Sequence, residues 1–164
     1  MTAASIIAGY VFGIFFLLRL FVPHLGFRKE PLPEALPADI AETIRKLNAE
    51  SADDLDFLKR AFSVVTSFYR GGRLETLIHV RSAFENPLTH KHGYMACTGQ
   101  NFVLRVLLVK SGRFSEADVT PHTTMVNFFI HQYLRVLVGG KWIEVDPWGA
   151  SLGVPFGERA GFFT

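Results

Sequence analysis

Cys97 is the only cysteine in the chain. It has no disulfide partner within the molecule, so it is either a small buried hydrophobe or a reactive thiol. It opens the stretch "CTGQNFVLRVLLVKSGRF". A second stretch, "HQYLRVLVGGKWIEVDPWG" (residues 131 to 149), relates a histidine to an aspartate. Its apolar runs flank Gly139-Gly140, a two-residue hairpin signal. Taken literally, the turn sets Val138 opposite Lys141, Arg135 opposite Glu144, Tyr133 opposite Asp146 and His131 opposite Trp148. His131 and Asp146 are then diagonal neighbours on one face, about 7 Å apart at the backbone. An imidazole can span that gap to a carboxylate. The opposite charges of Arg135 and Glu144 support the register. Tyr133, Trp142 and Trp148 share the histidine's face. Leu134, Val136, Val138, Ile143 and Val145 make the other, so both faces need cover.

An aspartate beside an imidazole fixes its tautomer and stabilises its charged form. That suits a histidine acting as base for a nucleophile, and Cys97 is the natural candidate. At a helix N-terminus the macrodipole favours a thiolate. The spacing predicts a triad with Cys97 as nucleophile, His131 as base and Asp146 as orienting group.

The elements that must position these groups follow from pattern. After Cys97, the run Phe102 to Val109 leaves almost no polar face, which predicts a helix buried in the middle of a domain and ended by Gly112. Asp39 with Glu42 reads as a capping box, followed by Ile40, Ile44 and Leu47 at helical spacing. A second helix is predicted to start near residues 51–54. It carries Leu58, Ala61, Phe62, Val65, Phe68 and Tyr69 as a core stripe and is stopped by Gly71-Gly72. Residues 74–84 fit helix or strand, and 85–96 read as loop. "SEADVTPH" is expected to be a connector and "TTMVNFFI" a strand leading into the hairpin. The tail from Gly149 reads as glycine-rich and irregular.

With 164 residues, 16 of them Phe, the chain is long enough for one domain with a real core. Residues 3–22 hold one charge, Arg19. About 20 apolar residues suffice to cross a bilayer as a helix, and no basic residue or small-x-small site marks a cleaved signal. The expected organisation is a transmembrane anchor at 1–27, a proline-rich linker at 28–37 of about 30 Å, and a domain at 38–164. Arg19, Arg28 and Lys29 lie only towards the C-terminal side of the apolar run, which favours a single-pass protein with its domain on the cytoplasmic side. Gly9-x-x-x-Gly13 permits packing against a membrane-protein partner. Without a basic run or stripe, no nucleic-acid partner is expected.

The same residues resemble the transglutaminase-like cysteine-enzyme superfamily, whose core is papain-like. The resemblance rests on Cys97 with Asn101, Val103 and Gly112, then His131, Tyr133, Gly140, Trp142, Asp146 and Pro147. It covers about residues 90 to 150. It implies an α+β fold in which the cysteine helix packs on an antiparallel sheet carrying the histidine and aspartate, here preceded by helices and the N-terminal transmembrane helix. It also implies thiol acyl chemistry on amides. Members include peptidases, amidases, deamidases and cross-linking enzymes, and some that have lost catalysis. The chain resembles the minimal catalytic core. Asn101 stands where the family has a small residue, and Arg135 where it often has glutamate, with Glu144 offering a swap.

The backbone N–H of Cys97 is one oxyanion donor candidate. The second is open among His90, His92, Tyr94 and Gln100. His90-x-His92 near Cys97 matches no standard zinc spacing, and no acidic loop implies calcium, so no cofactor or metal is expected. Trp142 and Trp148 are expected to pack against the cysteine helix. The functional expectation is a membrane-anchored cysteine hydrolase or acyltransferase acting on a peptide or protein substrate through a thioester. The alternative is a non-catalytic binding or assembly module of a membrane complex.

Overall fold

The computed structural model describes residues 4–10, 12–13, 29–79, 85–126 and 129–162. Residues 4–10 and 12–13 are helical, with Ile6, Ile7, Tyr10 and Phe12 exposed. Among the described residues no helix is long and apolar enough to cross a membrane. Residues 1–3, 11 and 14–27 of the expected anchor, and Arg28 at the start of the linker, lie outside them.

The chain is α+β. α1 spans Ala38–Glu50 and α2 spans Asp54–Phe68. β1 (Tyr69–Arg70) pairs in parallel with β2 (Gly93–Tyr94), and α3 (Arg73–Ile78) lies between them. α4 spans Cys97–Lys110. β3 (Val119–Val126), β4 (Phe129–Val138) and β5 (Lys141–Val145) form an antiparallel sheet in that order. A one-turn helix, α5 (Pro147–Ala150), and an irregular strap to residue 162 complete the chain.

Each helix has a legible reason. Asp53 caps α2 by accepting from the Asp56 N–H at 2.8 Å, and Phe57, Leu58, Ala61 and Val65 turn its apolar side inward. The helix stops at Phe68, before the glycines, because Tyr69 and Arg70 leave it to pair with β2. α4 is buried all round from Thr98 to Leu108, as its lack of a polar face requires. It packs between α2 and β4. Leu104, Leu107 and Leu108 meet Leu134, Val136 and Val145 of the sheet in the main core. Each such side chain contributes about 1.5–3 kcal/mol of burial.

Several expectations change. α1 starts at Ala38 after Pro37, without a side-chain cap. Asp39 accepts from Ile40 N–H and Glu42 pairs with Arg45, so no capping box forms. β3 begins at Val119 and so takes in Thr120, Pro121 and His122 from the expected connector. Pro121 is tolerated because β3 is an edge strand. Of the ambiguous stretch, Arg73–Ile78 is helix, and residues 80–84 lie outside the described residues. Residues 29–37 lie against the domain. Leu32 and Leu36 pack on the main core, Arg105 donates to the Glu30 carbonyl, and Lys29 pairs with Glu116.

The hairpin register is the arithmetical one: Val138 faces Lys141, Arg135 faces Glu144 and Leu134 faces Val145. Gly139 and Gly140 take φ of 56° and 79°, as a two-residue turn of this kind needs. The ladder stops at Val145, so Asp146 and Trp148 reach the histidine from α5 and its cap rather than as strand partners. Arg135 and Glu144 do not form their ion pair. The Arg135 guanidinium lies over Trp142 at 5.5 Å, and Glu144 pairs with Arg159 instead. Trp142 is accordingly 44% exposed and does not pack on α4.

Candidate active site

Cys97 is the first residue of α4 and is partly exposed. The first intrahelical bond there runs from the Gln100 N–H to the Ala96 carbonyl. The N–H groups of Cys97, Thr98 and Gly99 therefore lack a carbonyl four residues back. The thiol lies in a second, smaller cluster with Val126, Trp148, Leu152, Val154 and Ala160.

His131 reaches the same place from β4 and is 2% exposed. Its Nε2 lies 2.7 Å from Asp146 Oδ2. A carboxylate only accepts, so Nε2 carries the proton and Nδ1 is the nitrogen that Asp146 leaves unengaged. Burial alone would lower the pKa of the imidazole. The hydrogen bond to Asp146 and then the hydrogen-bonding contact with Cys97 outweigh it, and His131 is pushed up to about 10.

The sequence "DPWG" builds the far side of the site residue by residue. Asp146 caps α5, its Oδ1 accepting from the Gly149 N–H at 2.8 Å while Oδ2 serves His131. Pro147 suits the first turn, where its missing N–H has no partner to lose. Trp148 packs its ring 4.8 Å from the His131 ring. A Cβ on Gly149 would lie 2.5 Å from Asp146 Oδ2, so only glycine leaves the carboxylate room. The expected packing of Trp148 near the cysteine holds; that of Trp142 does not.

Asn101 sits one turn beyond Cys97 and is 2% exposed. Its Nδ2 donates to the Gln132 carbonyl at 2.7 Å. Asn101 is thus a tether between the cysteine helix and the residue next to His131.

The candidates for a second oxyanion donor separate clearly. Gln100 spends its Nε2 on the Met95 carbonyl at 2.9 Å. Tyr94 spends its hydroxyl on Thr76 Oγ1 at 2.8 Å. His90 and His92 line a groove of about 370 Å³ that also takes in Val103 and Leu107. Those helix positions lie about 9–15 Å along the axis from Cys97. None of the four presents a donor to the thiol, which leaves the unbonded N–H groups at the start of α4. Among the described residues no group of three His, Cys, Asp or Glu could hold a metal.

Residue patterns did not reveal the strap. Ala160 donates its backbone N–H to Asp146 Oδ2 at 2.9 Å. Arg159 pairs with Glu144 at 3.3 Å and donates to Thr124 Oγ1 at 2.8 Å. A main-chain donor has no residue-type signature, so only the basic residue near the end of a glycine-rich tail could have drawn attention.

No family model, curated protein or solved structure matches this chain.

Proposed function

We propose that the chain is a membrane-anchored cysteine hydrolase or acyltransferase of the transglutaminase-like kind, acting on peptide or carboxamide bonds of a peptide or protein substrate. The observation that carries this reading is the buried His131, held by Asp146 at 2.7 Å, with Asp146 and Cys97 both favouring its charged form. A high imidazole pKa beside a lone thiol favours proton transfer from sulfur to nitrogen. The order of cysteine helix, histidine strand and aspartate at the hairpin's end supports the family resemblance. The apolar N-terminal run supports the anchor, and the basic residues after it favour a cytoplasmic domain.

In this reading Cys97 Sγ attacks the carbonyl carbon, and the N–H groups at the start of α4 receive the developing oxyanion. The C–N bond breaks as His131 gives its proton to the leaving amine. A thioester remains. Water, deprotonated by His131, attacks it, releases the acid and restores the thiol. An amine in place of water would give transfer. Hydrolysis is the favoured outcome, since no second amine-binding surface is evident among the described residues.

The test follows Cys97 alkylation by iodoacetamide against pH, in detergent, for the wild type and His131→Ala. The wild type should alkylate rapidly near pH 6, and the variant about a hundredfold more slowly. Equal profiles in the two proteins would sink the catalytic reading and leave a non-catalytic module of the same shape.

A further inference from the structure

We infer that the C-terminal strap is a working part of the site and that Arg159 is the positioning residue that seats it. This rests on the triad reading and deepens it. The register places Thr124 opposite His131 on β3. It also puts His131, Tyr133 and Arg135 on one face of β4, and Glu144 opposite Arg135. Arg159 touches three strands on that face. It donates to Thr124 Oγ1 at 2.8 Å, pairs with Glu144 at 3.3 Å and lies over the Tyr133 ring at 5.2 Å.

The strap's other fixings point the same way. Gly157 makes an isolated antiparallel bridge with Glu144, at a φ of 96° that favours glycine. Phe156 packs edge-on against Phe62 of α2 at 5.4 Å. The residue after Arg159 then delivers its N–H to Asp146 Oδ2, the oxygen that also holds His131. Ala160 is fully buried and belongs to the cluster containing Cys97 and Trp148. Arg159 thus fixes where Ala160 sits, and Ala160 fixes the rotation of the Asp146 carboxylate.

The experiment uses the full chain in detergent, as wild type, Arg159→Ala and Arg159→Lys. The arginine side chain is 37% exposed, so its truncation leaves the core intact. Two readouts are taken: Cys97 alkylation against pH, and the ring ¹⁵N resonances of His131. In Arg159→Ala, alkylation should fall about tenfold near pH 6, matching loss of one hydrogen bond to a charged group. It should approach the wild-type rate in alkali, where the thiolate forms unaided. The His131 resonances should shift with it. Arg159→Lys keeps the charge facing Glu144 but not the fork, and should fall between the two. An unchanged profile with unchanged resonances overturns the strap's role. So does a loss equal at every pH, which marks a merely structural contact. If the wild type and His131→Ala alkylate alike, the triad reading fails. The resonances then still decide, since His131 unmoved in Arg159→Ala refutes the seating.

Discussion

Both carboxylate oxygens of Asp146 are occupied: Oδ2 by His131 Nε2 and the Ala160 N–H, Oδ1 by the Gly149 N–H. In Asp146→Asn one oxygen becomes an NH₂ donor, and whichever way the amide lies that donor meets another donor. Leaving a buried donor unsatisfied costs about 1–3 kcal/mol, to be read by chemical denaturation. The neutral amide also no longer favours a charged imidazole, so Cys97 alkylation near neutral pH should fall about a hundredfold. A variant with wild-type stability and reactivity would show that Asp146 does not hold His131 as described. The relation of His131 to Asp146 was legible in the sequence because a two-residue turn fixes a strand register, and a register fixes who is near whom. Asn101 was legible only as an oddity. Its role depends on the separation of a helix from a strand, which no spacing along the chain records.

At the scale of elements, α4 was readable because a helix apolar on every side has one place to go. The start of β3 was not, because threonine, proline and histidine on an edge strand look like loop. Trp142 was misplaced for a related reason. Its ring satisfies itself against Arg135, and a stacked guanidinium lets a large aromatic stay half in water. A sharper consequence concerns Gly71, where the chain leaving β1 passes Trp148. A Cβ there would lie 2.5 Å from Trp148 Cδ1 and 2.7 Å from its Nε1. The indole is 6% exposed and backed by His131 at 4.8 Å, so it has no room to retreat. Gly71→Ala should therefore destabilise the fold by about 1–3 kcal/mol. It should also shift the His131 ring resonances, because the strain passes through Trp148. Unaltered stability and unaltered resonances would mean that the strand gives way instead.

For the whole molecule, the buried site makes stability depend on pH in a definite direction. His131 has its pKa raised in the folded state from 6.5 to about 10. A raised pKa means that the folded protein binds the proton more tightly than the unfolded chain. That contribution is fully present below about pH 6.5 and is lost as pH rises towards 10. Tyr69, Tyr94 and Tyr133 are also raised, chiefly by burial, and extend the loss to higher pH. On the acid side Asp118 is lowered by hydrogen bonds from Ser115, so its contribution fades as pH falls below the carboxylate range. Between about pH 6.5 and 8.5 the proton given up by the proposed thiolate offsets the one His131 keeps, so stability should hold level there and decline from about pH 8.5 to 10, by at most about 1.4 kcal/mol per pH unit for one proton. The decline belongs to the histidine rather than to general charge. His131→Ala should flatten it between about pH 8.5 and 10 while leaving the acid limb in place, as thermal unfolding across that range can show. An alkaline slope that survives the substitution would place the coupling elsewhere in the fold, and with it the proton that the proposed chemistry uses.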